Sequence, residues 1–571
     1  MSLAEKLSGT DSLLVKRNYQ IENYYQIPVD LLKSGARSYV LIDDDRQRER
    51  VINLSRREHP KIKFSSHPEE EIIGDESIIY MDYSSLFQVL TDLISNKIQK
   101  IDLFQVLIIN DVHQKGIKNL VLVNLWKKIF LSTEIRPYLL MTTISEKIMS
   151  LPFYPKIIDE TENKNLTVYH DRDLPVDSDT IIKEMYSTVV EMNSRNPISE
   201  EMSSTWLIFF PTHKGASVLS TKLYKNLGKN SSVYHLREGR NYDRLNRRGR
   251  RCFLIVSTEK FLETLYKQID GVFDPMVCCE NDSNVLVMGN KYLSDIREGY
   301  LESGFVFRFC TEDSYSKLPE DSETVFTDDE MEKLSLKLFF SGIDPEDLLE
   351  DQCYNLSEAV KKLEVLGCIF NREITETGKL AYKLPLNCVN SVCLSNWIEK
   401  EYPVFPGLVV LALSENSSPL KGSKFPFSLE DQLDTFLEVL KKYQNLEMHY
   451  MKVSRELKIN EQVLRETVGK IKGSIPHLKI NKLGLFNTKN TLRALQEVYD
   501  RHYSYNKFHL TDKNNMTYRS GDNYFRLDLG EKKLPEKVYV LRKEKNNLHQ
   551  YKSMQKVRCD IKYYFTVGNH N

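Results

Sequence analysis

Residues 105–113 read QVLIINDVH, an apolar run that stops abruptly in Asn110, Asp111 and His113. A short apolar run bounded by polar residues is the pattern of a strand buried on both faces. It recurs at SYVLIDDD (38–45), YLLMTT (138–143), TWLIFF (205–210) and CFLIVST (252–258). Helical patterns separate these runs, among them YSSLFQVLTDLISNKI (83–98) and GASVLSTKLYKNL (215–227). Strand–helix alternation of this kind predicts α/β architecture with parallel sheets. In open parallel sheets the working residues sit just past the carboxyl ends of the strands. That rule singles out DDD, NDVH, TTI, PTH and STE.

The bulk numbers set the frame. A chain of 571 residues is too long for one core and divides into roughly three to five domains. Hydrophobic content of 41% and charged content of 28% describe an ordinary globular protein. The formal net charge is −1, so any nucleic-acid surface has to be local. Nine cysteines form no CxxC pair, which argues for reduced, buried thiols in an intracellular protein, cytoplasmic or nuclear, with no zinc or other metal site. Apolar stretches such as LVVLAL (408–413) are far short of the roughly 20 residues that cross a bilayer, so no membrane partner is expected.

Around 155–200 the polar stretch DETENKNLTVYHDRDLPVDSDT reads as a linker or crossover ahead of a helix. After about residue 325 the texture turns helical. DDEMEKLSLKLFFSG stops at Gly342 and LSEAVKKLEVLG at Gly367, both with helix-end chemistry. The last ninety residues alternate in β fashion, as in EKVYVLRKE and DIKYYFTV.

The order of the strand-end motifs resembles the DEAH/RHA-type helicases, the DExH branch of superfamily 2. LSEAVKKLEVLGCIFNREITETGKLAYKLPL (356–386) is similar to that family's winged-helix signature, with Gly367, Thr375, Gly378, Leu384 and Pro385 on its fixed positions. FPGLVVLALSENSS is similar to the start of the helical ratchet bundle, and the C-terminal segments to an OB-like barrel. The resemblance implies an α/β fold of two RecA-like parallel-sheet lobes, 1–175 and 176–325. A winged helix (326–390), a helical ratchet-like bundle (391–480) and a C-terminal OB-like β-barrel (481–571) follow.

Carried over residue by residue, the family's chemistry is damaged throughout. The phosphate loop, GxTGSGKTTQIP in the family, aligns with residues ending in ENYYQIP (22–28). Such a loop needs glycines so that backbone N–H groups can surround phosphates, a Lys for the outer oxygens and a hydroxyl for Mg²⁺. Here Gln20 and Glu22 fall on glycine positions, Asn23 on the Lys and Tyr24 on the hydroxyl. In the Walker B element Asn110 replaces the metal-anchoring Asp, Asp111 replaces the Glu that orients water, and His113 keeps the coupling His position. Motif III reads Thr142-Thr143-Ile144, and motif V maps loosely onto Thr258 and Leu262-Glu263-Thr264. In the arginine-finger motif Arg297 survives, while Leu293, Ser294 and Tyr300 replace the Gln and two other arginines. An arginine finger contributes about 10³–10⁵ in rate, so that erosion bears directly on hydrolysis.

The implied function is a helicase-like pseudoenzyme that has lost ATP hydrolysis, requires no cofactor, and acts by binding single-stranded RNA or a protein partner. It would then be an inert subunit of an RNA-processing or viral complex. Two alternatives stand beside it: a divergent but active ATP-dependent RNA helicase using ATP and Mg²⁺, and a structural subunit of a larger assembly. RNA-contact candidates are Arg46, Thr258 and the basic run REGRNYDRLNRRGRRC (237–252), above all Arg247, Arg248, Arg250 and Arg251. The same run reads equally as a solvated loop. Asp43, Asp44 and Asp45 read better as a solvated acidic loop than as a metal site.

Overall fold

The computed structural model describes residues 11–15, 21–66, 77–94, 105–112, 117–130, 137–143, 153, 155–159, 166–195, 204–227, 231–236, 251–256, 269–279, 286–301, 303–320, 327–349, 353, 355–416, 418–421, 427–443, 446–478, 480 and 483–502, together with the backbone of strands between 507 and 565. Contacts divide the chain into two compact units, Met1–Val325 and Phe326–Asn571.

The first unit holds two parallel sheets. In the first, the strands are β1 (Ser12–Val15), β2 (Ser38–Leu41), β3 (Lys63–Ser65), β4 (Ser77–Met81), β5 (Val106–Ile109), β6 (Tyr138–Thr143) and β7 (Lys156–Asp159). They lie in the order β3-β4-β2-β5-β6-β1-β7, and every described pairing is parallel. Helices α1 (Ile21–Lys33), α2 (Asp45–Glu58), α3 (Tyr83–Ile94) and α4 (Ile117–Phe130) connect them. The four residues of β5 are all buried, as the opening run predicts.

The second sheet contains β8 (Leu166–His170), β9 (Ser204–Phe209), β10 (Ser231–His235), β11 (Arg251–Val256), β12 (Gly271–Asp274) and β15 (Gly304–Arg308). Its order is β10-β11-β9-β12-β15-β8, again all parallel. A small antiparallel pair, β13 (Val277–Cys279) with β14 (Leu286–Met288), stands apart from it. Helices α5 (Ser178–Arg195) and α6 (His213–Asn226) pack with Trp206, Ile208, Phe253, Ile255 and Phe273 on one face. Helix α7 (Lys291–Gly299) follows β14, and the short α8 (Glu312–Ser316) follows β15.

The boundary expected at 175/176 needs correction. Residues 166–170 are a strand of the second sheet, paired with β15 from Leu166↔Gly304 to His170↔Arg308, so that sheet begins ten residues earlier. The polar composition read there as a linker reflects an edge position: three of its five residues are exposed, so the strand lacks the apolar signature of its buried neighbours. Gly304 is required where β15 starts. Its φ is +134°, and a Cβ there would stand 2.2 Å from the carbonyl oxygen of Asp270.

The second unit is helical up to residue 502. Helix α9 (Asp328–Phe340) opens in a capping box between Thr327 and Glu330, and Gly342 ends it with φ +74°. After α10 (Pro345–Leu349), α11 (Leu356–Val365) ends at Gly367 with φ +71°. A two-stranded antiparallel hairpin (Ile369–Phe370 with Glu373–Ile374) and α12 (Glu376–Lys383) complete this group. Six further helices run between Cys388 and His502, packed on a core that includes Trp397, Leu408, Leu411, Phe436, Leu464 and Leu495. The remaining strands join Phe427–Ser428 in a seven-stranded, mostly antiparallel sheet. Among the described residues no helix is long and apolar enough to cross a membrane.

Candidate functional site

The carboxyl ends of the first sheet bring together α1, the end of β5 and the end of β6. Helix α1 carries ENYYQIP, and its internal Pro28 cannot donate to the carbonyl four residues earlier, that of Tyr24. The hydroxyl of Tyr80 on β4 donates to that carbonyl instead, at 3.2 Å. Burial pushes the Tyr80 phenol well above its ordinary range, which keeps it a donor. The turn carrying Asn23 and Tyr24 is thereby fixed to the sheet, and both side chains are buried.

Tyr24 also makes a contact across the strand ends. Its phenol donates to the carboxylate of Asp111 at the end of β5. Asp111 has φ +57°, a left-handed conformation that Asp tolerates better than most side chains. Burial pushes its carboxyl up to about 7, against the opposing pull of the Tyr24 hydrogen bond.

Asn110 is committed in the same way. Its amide nitrogen donates to the carbonyl of Leu41 at 3.1 Å, and its side-chain oxygen accepts from the Thr142 hydroxyl at 3.0 Å. The backbone N–H of Asp111 approaches the same hydroxyl at 3.4 Å. Thr142 thus ties Asn110 and Asp111 to β6, and the two strand ends form a closed polar seam.

ATP and Mg²⁺ do not fit this arrangement. The amino end of a helix offers backbone N–H groups to any anion, but Asn23 carries no charge, the Tyr24 hydroxyl is spent on Asp111, and the Asn110 amide is already bonded at both ends. Among the described residues no group of three or more His, Cys, Asp or Glu side chains could hold a metal ion. The acidic triplet is accounted for individually. Asp44 caps α2 by accepting from the N–H of Gln47, Asp43 accepts from the N–H of Tyr83 and pairs with Lys118, and Asp45 pairs with Arg48.

In the second sheet the carboxyl ends carry ion pairs. Arg297 is turned inward. It is 4% exposed, pairs with Asp274 at 2.5 Å, donates to the carbonyl of Val277 at 3.3 Å and stands over the ring of Phe209. Beside it Glu298 accepts from Arg308 and from the Ser294 hydroxyl, and Arg308 lies 3.8 Å over the ring of Tyr315. Asp274 neutralises the Arg297 guanidinium inside the fold.

Arg251 also needs correction as an RNA contact. It opens β11 at the amino end, away from the working ends of the strands, and is 6% exposed. Its guanidinium donates to Ser204 and Asn193 at 3.3 Å each, and burial lowers its pKa from the ordinary Arg range. Arg247, Arg248, Arg250, Thr258 and His113 lie outside the described residues, as do the side chains of Glu22, Arg46 and His213. The sequence reading missed Tyr80, Asp274, Glu298 and Arg308. Asp274 was findable, because GVFDP is one more short apolar run ending in a polar residue.

No family model matches the chain, and no curated protein matches it either. Among solved structures it is similar to the Escherichia coli DExH-box NTPase HrpB, with a TM-score of 0.63 at 13% identity over 99% of this chain and 67% of that one. It is likewise similar to a second structure titled Escherichia coli DEAH/RHA helicase HrpB, with a TM-score of 0.65 at 12% identity over 99% and 69%. At such identity the likeness shows the fold alone: a DExH-helicase-like fold, whose parallel sheets of seven and six strands are consistent with two RecA-like lobes.

Proposed function

We propose that this protein is a helicase-fold pseudoenzyme, one that does not hydrolyse ATP and acts by binding RNA or a protein partner. The observation that carries the reading is the bond between Tyr24 and Asp111. Two positions that would hold metal and water in a working motor are instead bonded to each other. The buried pairing of Arg297 with Asp274 supports the same conclusion from the second lobe. The finer architecture belongs to this proposal: a winged helix at 326–390, a ratchet-like bundle at 391–480 and an OB-like barrel at 481–571. The helix–hairpin–helix order around Gly367 and the mostly antiparallel terminal sheet are in keeping with it.

The test is direct. Purified chain is expected to show no ATP hydrolysis with or without RNA, and no rise in melting temperature on adding Mg-ATP. Hydrolysis stimulated by RNA would overturn the reading. Salt-dependent binding to single-stranded RNA then separates an RNA-binding role from a protein-binding one. Replacing Arg247, Arg248 and Arg250 with Ala is expected to weaken that binding and flatten its salt slope.

A further inference from the structure

Domains of one chain that meet through a small polar interface move relative to one another, and a large apolar interface removes that freedom. The two parallel sheets of the first unit meet in the second way. One face of the second sheet packs with α5 and α6 on a core of its own, which includes Trp206, Ile208 and Phe253. The alternate residues point to the opposite face, and there the boundary between the lobes disappears. Leu207, Leu254 and Val272 belong to the same continuous core of buried side chains as Val40, Ile78 and Ile108 on one face of the first sheet.

Helices enter that core from both lobes. Tyr24, Ile27 and Val51 come from α1 and α2, and Tyr292, Ile296 and Tyr300 from α7 and the residue that follows it. The last three recur at every fourth position, so they form one stripe along the helix. Arg297 and Glu298 leave the same helix in other directions, towards Asp274 and Arg308. The chain also passes from sheet to sheet on this core: Ile158 of β7 is part of it, and Leu166 of β8 packs against it. Every buried member is between 0% and 8% exposed. The division of the chain by contacts falls only after Val325 and leaves both sheets in one unit.

We infer that the two lobes are one cooperatively folded body, with no hinge between the sheets that opens by itself. A single continuous core of this kind is what defines one domain. Parting the sheets has to break it at some place and bring water onto side chains that are now sealed from it. A chain without hydrolysis could still open and close between its lobes, so this rigidity is a property apart from the loss of catalysis. Whatever binds the first unit meets a preorganised surface, and binding carries no cost of closing one lobe onto the other.

The test is native-state hydrogen exchange of the full chain across a denaturant series, read at the most protected amides of β5 in the first sheet and β11 in the second. In the wild type both strands are expected to lose protection at the same denaturant concentration. Ile296→Ala, in the second lobe, is expected to speed exchange in β5 and β11 by the same factor, about a hundredfold. Ile27→Val, in the first lobe, is a milder change that keeps the fold, and it is expected to speed both strands by about threefold to tenfold. Separate steps for the two strands in the wild type would overturn the proposal. So would variants that speed exchange only in the sheet of their own lobe. No nucleotide enters this measurement, so ATP hydrolysis by the wild type would sink the proposed function and leave the single body untouched.

Discussion

The two lobes close their working ends by different chemistry. In the first, a phenol meets a carboxylate and an amide meets a hydroxyl, so the seam from Tyr24 through Asp111, Asn110 and Thr142 is made of hydrogen bonds. In the second, Arg297 meets Asp274 and Arg308 meets Glu298, so the seam is made of buried ion pairs. The difference teaches what each closure costs to break. A hydrogen bond lost from a buried site leaves a desolvated polar atom, at about 1–3 kcal/mol. An ion pair broken from one side leaves an uncompensated charge, at about 3–5 kcal/mol.

The largest effect is therefore expected at Arg297. Arg297→Ala strands Asp274, which is fully buried, and denaturant unfolding should show a loss of about 3–5 kcal/mol. Replacing both members together, Arg297→Met with Asp274→Asn, should recover much of that loss. A single variant with unchanged stability would place the pair outside the folded core. Tyr24→Phe is the matching test in the first lobe, with an expected loss of about 1–2 kcal/mol. It should also leave the protein as indifferent to Mg-ATP as before, because the lysine and glycines stay absent.

A further effect is one of pH. Asp111 has its carboxyl raised from 3.8 to about 7 in the folded chain, so between those values the folded state holds a proton that the unfolded state has released. Its contribution to stability is complete below about pH 4 and is lost as pH rises through about 7. Asp111→Asn, neutral at every pH, should remove that decline. The measurement is the difference in melting temperature between variant and wild type, which should grow in favour of the variant from pH 5 to pH 8. A constant difference would show that Asp111 ionises in the fold as freely as in the unfolded chain.

How far the sequence could be read follows from what burial does to composition. The strands at 38–41, 106–109, 138–143, 204–209 and 251–256 are buried on both faces, and their apolar runs were legible as strands with polar ends. β8 was read as linker because an exposed edge needs no apolar run, and Asp274 was overlooked because GVFD is only four residues long. At the site, that residues 20–28 hold neither lysine nor glycine is legible in the sequence alone. What stands there instead is not legible, since the Tyr24–Asp111 contact joins residues 87 positions apart and the Tyr80 contact reverses a local rule about proline. Charge composition likewise named Arg251 as an available cation, although it is folded inward.

The carbonyl freed by Pro28 and taken by Tyr80 bears on how the seam answers to change. A small hydroxyl residue at position 24 removes the phenol and leaves Asp111 bereft of its donor. Asp at position 110 keeps an acceptor for the Thr142 hydroxyl but loses the donor to the Leu41 carbonyl and sets a second carboxylate beside Asp111. Each such step is harmful by itself, and the backbone turn that carries Tyr24 is pinned by a residue in another strand. The closure is thus entrenched: its members hold one another in place, and a single substitution among them descends in stability before a second can recover it.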